Sequence, residues 1–375
     1  MRHREGPQKG LAMRIGFTAM AAILASACAS AESPPQSRPS GADRPVVYTP
    51  PPARPSTQYP ASSYRNAIGP QLEAYIHEKW RAFPGKTGIA VQRIDGSGTV
   101  GKRLDNLFPQ QSVSKLWVAL TVLDHIDRGE LRLDAPVRIG YDDFTMFQSI
   151  VKKRVERQGT ITETVGSLLE LAVTKSDNTA NDKLMWLVGG PGEINRTLAT
   201  KNIRSVRFGP GERKLQSAVA GFRWDQSYGP GNRWFAARRR VPASTRQVAM
   251  RRYLNDPMDG ATPRGMVSAL AMLARGELLS PSSTRRLMGM MGRSTSGPKR
   301  LKAGVPGGWQ FGHKTGTGQS FGGMSTGYND VGIMTAPDGT RYAVAVMLAN
   351  TTASVPKRMT LMQSISRAVG RYHGQ

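Results

Sequence analysis

FPQQSVSKLWVALTVLDHIDRGEL, residues 108–131, decides how this chain is read. Leu116, Ala119, Leu120, Leu123 and Ile126 recur at three- and four-residue steps, which predicts an α-helix. Val113, Trp117, Val118 and Val122 cover the other faces, and a helix apolar all round is a buried one. Arg128-Gly129 supplies a stop. Into the start of this helix the sequence puts Lys115, although an ammonium is costly to bury unless it is paired or neutral. Ser112, three residues earlier, shares its face. Both stand at the end where the helix dipole favours a developing anion. A capping serine and a surface lysine fit the same string, and Ser-x-x-Lys arises by chance about once in a chain of this size.

The 375 residues allow one large domain or two smaller ones, and they are not uniform. MRIGFTAMAAILASACASAES (13–33) has a basic start, a short apolar core and small residues after it, so residues 1–31 read as an export signal. Its apolar run is too short for a membrane-spanning helix. Cys28 is the only cysteine and follows a string loosely like a bacterial lipoprotein signal, which makes it a candidate lipidation site. Ordinary cleavage near Ala27 or Ala31 is the alternative. The expected location is periplasmic, free or lipid-anchored. Residues 32–63 are Pro/Ser-rich without a period and read as an extended tether. The folded body, 64–375, therefore has no cysteine for a disulfide, a thiol nucleophile or a thiolate metal site.

The formal net charge is +26, with arginines concentrated in 235–254 and 285–293. No zinc spacing or ribonucleoprotein-type strand accompanies the charge, so nucleic acid is not an expected partner. Attraction to anionic envelope polymers, or a solvated basic face, accounts for it.

Within the body, 66–85 read as a helix and 87–105 as two short strands around Asp95-Gly96. Helical patterns fill 112–291. Strand patterns return in 307–318 and 330–351, and a last helix closes the chain. Strands from both ends and helices from the middle predict an α/β (α+β) fold, with an antiparallel sheet built from the two chain ends, flanking helices and an inserted all-α lobe. The cleft between the lobes is the default site.

Two further strings turn on chemistry. Ser176-Asp177-Asn178 opens a helix, and Lys314-Thr315-Gly316 ends a strand. Ser-x-x-Lys, Ser-Asp-Asn and Lys-Thr-Gly in this order resemble the signature of class A β-lactamases and penicillin-binding proteins. RGELRLDAPV (128–137), GGPGEINRTL (189–198), DGATPRGM (259–266), GELLSP (276–281) and GVPGGWQFGHKTGTG (304–318) extend the resemblance to class A over the whole body. The resemblance implies a β-lactamase/transpeptidase-like fold and an acyl-serine hydrolase of β-lactams, without metal or cofactor, most simply a monomer. It implies Ser112 as nucleophile, Lys115, or Glu212 through water, as its base, and Ser176 as proton relay to the leaving nitrogen. Asn178 would hold the acyl-amide side chain. Lys314 would supply positive charge, and Thr315, Gly316 and Thr317 would bind the substrate, the threonines its carboxylate. The N–H groups of Ser112 and Thr317 would form the oxyanion hole.

Counting without gaps from Asn178, the family's deacylating Glu falls on Glu212, and Gln216 stands where an Asn usually holds the water. The chain departs from the family in three places. Pro210 replaces the Arg that usually pairs with the Asp closing this loop, here Asp259. An extra stretch, about 217–255, separates them and carries Trp224, Trp234 and the arginine run, a lid or an envelope-docking face. The last strands lack the usual carboxylate-binding Arg, with Tyr328 or its neighbours in its place. Arg300, fourteen residues before Lys314, is the candidate substitute, and its removal should weaken substrate binding with little loss of fold. A D-Ala-D-Ala peptidase of the penicillin-binding type, or a non-catalytic wall-binding protein, are the alternatives on the same fold.

Overall fold

The computed structural model describes residues 69–375 apart from 97 and 148. The export signal, the tether and Cys28 lie outside the described residues. The chain enters through α1 (Pro70–Arg81), the hairpin β1 (Lys86–Arg93) and β2 (Thr99–Lys102), and the short β3 (Phe108–Pro109). A 3₁₀ turn, Gln111–Ser114, leads into α2 (Lys115–Asp127). The helical lobe follows with β4 (Pro136–Ile139), α3 (Ile150–Gln158), β5 (Ile161–Thr164), α4 (Val165–Thr174), α5 (Asn178–Leu187), α6 (Gly190–Thr200) and α7 (Glu212–Val219). Next come α8 (Arg233–Arg240), α9 (Ala243–Asn255), β6 (Gly260–Ala261), α10 (Pro263–Arg275) and α11 (Pro281–Gly292). The chain returns to the sheet through β7 (Gln310–Thr317), the hairpin β8 (Ser320–Phe321) and β9 (Met324–Ser325), β10 (Tyr328–Thr335) and β11 (Arg341–Ala349), and closes with α12 (Val355–Arg371).

The main sheet has five strands in the order β2-β1-β11-β10-β7, antiparallel throughout. Strands from both chain ends build it, as the patterning predicts. Alternation along a strand sorts side chains between the two faces. Ile89 and Val91 of β1, with Val344, Val346 and Leu348 of β11, pack with Leu72 and Ile76 of α1 and Ile365 and Val369 of α12. Ala90, Ala343, Ala345 and Ala349 face the other way, in one core with Met266, Val267 and Leu270 of α10. Each large aliphatic side chain buried in these layers contributes roughly 1.5–3 kcal/mol.

The helices start where the sequence places caps and prolines. Thr164, Asp177, Thr262 and Ser280 each accept a backbone N–H at the starts of α4, α5, α10 and α11, and Pro263 and Pro281 occupy first-turn positions. Asp177 does more than cap. Its carboxylate also accepts from Ser149 Oγ at 2.7 Å and from Ile150 N at 2.6 Å, tying the start of α3 to the start of α5. α2 is buried continuously from Lys115 to Leu123, as a helix apolar all round should be.

The stretch read as extra, about 217–255, holds two helices, α8 and α9, and its first residue, Ser217, lies within α7. Trp234, buried, donates its indole N–H to Ser217 Oγ at 3.0 Å. Around it gather Met146, Phe147, Ala220, Phe222, Trp224, Tyr228 and Phe235. The Phe147 ring meets Trp234 edge-on at 5.3 Å. On the far side Arg238 donates to Ser320 O at 2.9 Å, and Arg246 stacks on Phe321 at 3.9 Å. The excursion thus packs against the loop before α3 and against the β8–β9 hairpin. Arg239, Arg240, Arg251 and Arg252 remain exposed.

Candidate active site

Ser112 sits in the 3₁₀ turn that feeds α2, and Lys115 is the first residue of α2. Lys115 is fully buried. Its Nζ stands 3.2 Å from Ser112 Oγ and 3.4 Å from Glu212 Oε2. The ammonium that looked misplaced in an apolar helix therefore has the partner that burial demands, delivered by α7. Glu212, also buried, begins α7, and its backbone N–H donates to Asp182 Oδ1 at 3.1 Å. Asp182 is held up to about 6, first by burial and then by the Glu212 charge.

The opposite wall comes from β7 and the turn before α5. Lys314 Nζ donates to Ser176 Oγ at 2.9 Å and to Thr315 O at 3.0 Å. Burial, then the nearby Lys115 and Arg300 charges, press the Lys314 ammonium well below the ordinary lysine range. Ser176 has φ +58°, a left-handed conformation uncommon for a residue with a side chain, and Asp177 caps the helix beside it. Gly316 is dictated by contact, since a Cβ there would come within 2.2 Å of Gln110 O. The glycine lets β7 lie against the backbone that carries Ser112.

Each residue expected from the sequence lies in this region or on its supports. Asn178 is buried in the first turn of α5. The two threonines differ. Thr317 is exposed, whereas Thr315 is buried and donates its hydroxyl to Ser296 Oγ at 2.8 Å. Gln216 Nε2 donates to Glu212 Oε1 at 3.1 Å and to Gln111 Oε1 at 2.9 Å. Both its N–H groups are thus taken by protein, and Gln216 orients Glu212 directly.

Arg300 reaches the end of β7, and its guanidinium donates to Thr317 Oγ1, to Gly316 O at 3.0 Å and to Asn329 O at 2.6 Å. It also stacks on Tyr328 at 3.8 Å. Arg300 is itself buried and two backbone carbonyls accept from it, so its loss is expected to touch the fold as well as binding. Arg300→Ala is expected to lower the unfolding free energy by about 1–3 kcal/mol through those carbonyls. It should also lower kcat/KM by about one to two decades through the lost charge next to Thr317. Denaturant unfolding and steady-state kinetics measure the two losses separately, and unchanged kinetics would assign carboxylate binding elsewhere.

Three supports escaped sequence reasoning. Gln111 has φ +56°, and its N–H donates to Asp259 Oδ2 at 2.7 Å. Tyr253, from α9, donates to Asp259 Oδ1 at 2.8 Å, so Asp259 is held by a phenol and an amide where the family's Arg is missing. Burial raises the Asp259 carboxyl to about 6. Asp182 had a usable signal, because it lies four residues after Asn178 and so on the same helix face. Tyr253 had none. The largest cavity described, about 770 Å³, opens between α7 and α9 and holds none of the motif residues. Chemistry rather than cavity size locates the site.

A family model described as the β-lactamase enzyme family matches residues 71–373. The chain is similar to β-lactamase VEB-1 of Pseudomonas aeruginosa, 25% identical over 310 residues, covering 83% of this chain and 93% of that one. It is also similar to the extended-spectrum β-lactamase PER-1 of the same organism, 25% identical over 307 residues, covering 82% and 89%. Among solved structures, TLA-3 extended-spectrum β-lactamase aligns with a TM-score of 0.67 at 22% identity, over 81% of this chain and 99% of that one. An ancestral class A β-lactamase gives 0.64 at 28% identity, over 80% and 99%.

Proposed function

The chain belongs to the β-lactamase enzyme family, and we propose from that premise that it hydrolyses the β-lactam amide through an ester formed on Ser112. The observation that carries this reading is the run from Ser112 Oγ to Lys115 Nζ to Glu212 Oε2, at 3.2 and 3.4 Å, inside a buried site. A free hydroxyl is a weak nucleophile and needs a base within reach. Ser112 Oγ attacks the lactam carbonyl, and its proton passes to Lys115 or, through water, to Glu212. The C–N bond then breaks, and the proton taken from Ser112 is returned to the leaving nitrogen by way of the Ser176 hydroxyl, which is hydrogen-bonded to Lys314. Glu212 next takes a proton from a water that attacks the ester, and that proton is passed back, by way of Lys115, to Ser112 Oγ as the C–O bond breaks. Lys314 and Arg300 place positive charge on the side where a substrate carboxylate would lie, beside Thr317.

The run of residues 13–31 supports export as part of the same reading. One experiment tests both. The full chain is expressed in a Gram-negative host, isolated, and followed by intact-mass spectrometry while it turns over a chromogenic cephalosporin. Steady hydrolysis, a short-lived adduct on Ser112 and loss of the residues before Cys28 or before about Ala31 are expected. A long-lived adduct without turnover would mark a peptidase of the penicillin-binding type. No adduct would leave a wall-binding role, and an intact Met1 would sink the export proposal.

A further inference from the structure

We propose that Tyr253, on a helix this chain adds to the fold, is a positioning residue for the Glu212 base, acting through Gln111 and Gln216. The inference rests on the hydrolase reading above. It follows from the direction of six hydrogen bonds in one buried network.

Asp259 is buried and takes two donors, Gln111 N on Oδ2 and Tyr253 Oη on Oδ1. A carboxylate only accepts, so the phenol spends its single proton there. Burial and the Asp259 charge hold that phenol well above its ordinary range, which keeps the proton on it. Having spent its proton, Tyr253 Oη can only accept. Gln111 must therefore turn its Nε2 toward it, at 2.7 Å. Gln111 Oε1 then faces the other way and takes Gln216 Nε2 at 2.9 Å. The remaining proton of Gln216 Nε2 goes to Glu212 Oε1 at 3.1 Å, while Gln319 Nε2 donates to Gln216 Oε1 at 3.0 Å. An amide's two ends are nearly the same shape, so packing alone does not choose between them. Here carboxylates stand at both ends, Asp259 beyond Tyr253 and Glu212 beyond Gln216, and Gln319 Nε2 holds Gln216 Oε1, so the amides between them are fixed together. Tyr253, Gln111 and Gln216 are all buried, so water is poorly placed to substitute for a lost member.

Tyr253→Phe keeps the ring and its packing but removes the oxygen that orients Gln111. With that bond gone, the Gln111 amide keeps only its contact to Gln216, and Gln216, still held by Gln319 and Glu212, loses the firm acceptor that sets its angle to the Glu212 carboxylate. Deacylation should suffer and acylation much less, because attack by Ser112 can draw on Lys115.

The test compares the parent with Tyr253→Phe, Asp259→Asn and the double variant. Each is acylated with the chromogenic cephalosporin, and loss of the Ser112 adduct is timed by intact mass. Thermal unfolding checks that each is folded. Tyr253→Phe should slow adduct loss by about tenfold, with kcat and KM falling together and kcat/KM within about twofold of the parent. Asp259→Asn should do the same, and the double variant should be no slower than the worse single one, since both cut one chain of bonds. Adduct loss at the parental rate in folded Tyr253→Phe overturns the proposal. So does a fall in kcat/KM without a longer-lived adduct, which would place Tyr253 behind the nucleophile turn instead. If the parent itself holds its adduct for hours, the hydrolase reading fails, yet the ratio of adduct lifetimes still decides the role of Tyr253. If the parent forms no adduct, both fail.

Discussion

Glu212→Gln is expected to strand the enzyme as an ester on Ser112. The substitution keeps the length of the side chain and leaves an oxygen to accept from Gln216 Nε2, which lies 3.1 Å from Glu212 Oε1. It removes the carboxylate that meets Lys115 Nζ and, through it, Ser112 Oγ. Ester hydrolysis needs a base aimed at a water on the acyl carbonyl, and general-base catalysis contributes about 10²–10⁴-fold. Adduct loss should slow by that factor. Acylation should slow less, because Lys115 still touches Ser112 Oγ at 3.2 Å. Intact-mass spectra of the variant should show nearly complete occupancy of Ser112 within the first turnovers, where the parent shows little. Turnover at the parental rate would mean that another residue supplies the base. Lys115, 3.2 Å from Ser112 Oγ, is then the first candidate.

Lys115→Met should fail in the opposite way. Methionine fills most of the volume of the lysine stem, so the packing of α2 is largely kept. The ammonium between Ser112 Oγ and Glu212 Oε2 is gone. Formation of the ester should fall by about 10²–10⁴-fold, read as kcat/KM, and no adduct should accumulate. A second loss comes with it. Glu212 is 6% exposed, and without its cation it is a buried carboxylate deprived of its ion-pair partner. Removing one member of a buried pair costs roughly 3 kcal/mol or more. The variant should therefore be less stable than the parent in denaturant unfolding. Unchanged stability would show that other groups, not Lys115, compensate the carboxylate. The two variants divide the reaction between them, one accumulating ester and the other forming none.

Much of this site was legible because its chemistry sits on local patterns. Ser112 and Lys115 are three residues apart at the start of one helix. Asp177 caps α5 next to Ser176, and Lys314 to Gly316 end one strand. Capping, helical spacing and strand alternation act over a few residues, so such motifs can be read along the chain. The same holds for the sheet, where small residues alternate with large ones along β11. Arg300 was placed by its distance from Lys314. Its bonds to Gly316 O and Asn329 O, and with them its share in stability, appear only once β7 and β10 are paired.

Readable along the chain were a sheet built from both ends, a mainly helical middle, the burial of α2, the three motifs and the need of Lys115 for a partner; the short strands β4, β5 and β6 inside that middle were not. What was readable follows from spacing within one element or from the physical cost of a buried charge. Tertiary structure alone decided who the partners are. Glu212 stands 97 positions after Lys115 in the chain, and Tyr253 stands 142 after Gln111. The added stretch read as a basic excursion. Folded, it turns Trp234 onto Phe147 and Tyr253 onto Asp259, in the gap left by the missing arginine. No local pattern marks a tyrosine in a run of arginines as the holder of a distant carboxylate. Such a bond depends on where two helices come to rest against each other, and that is set by the packing of the whole core.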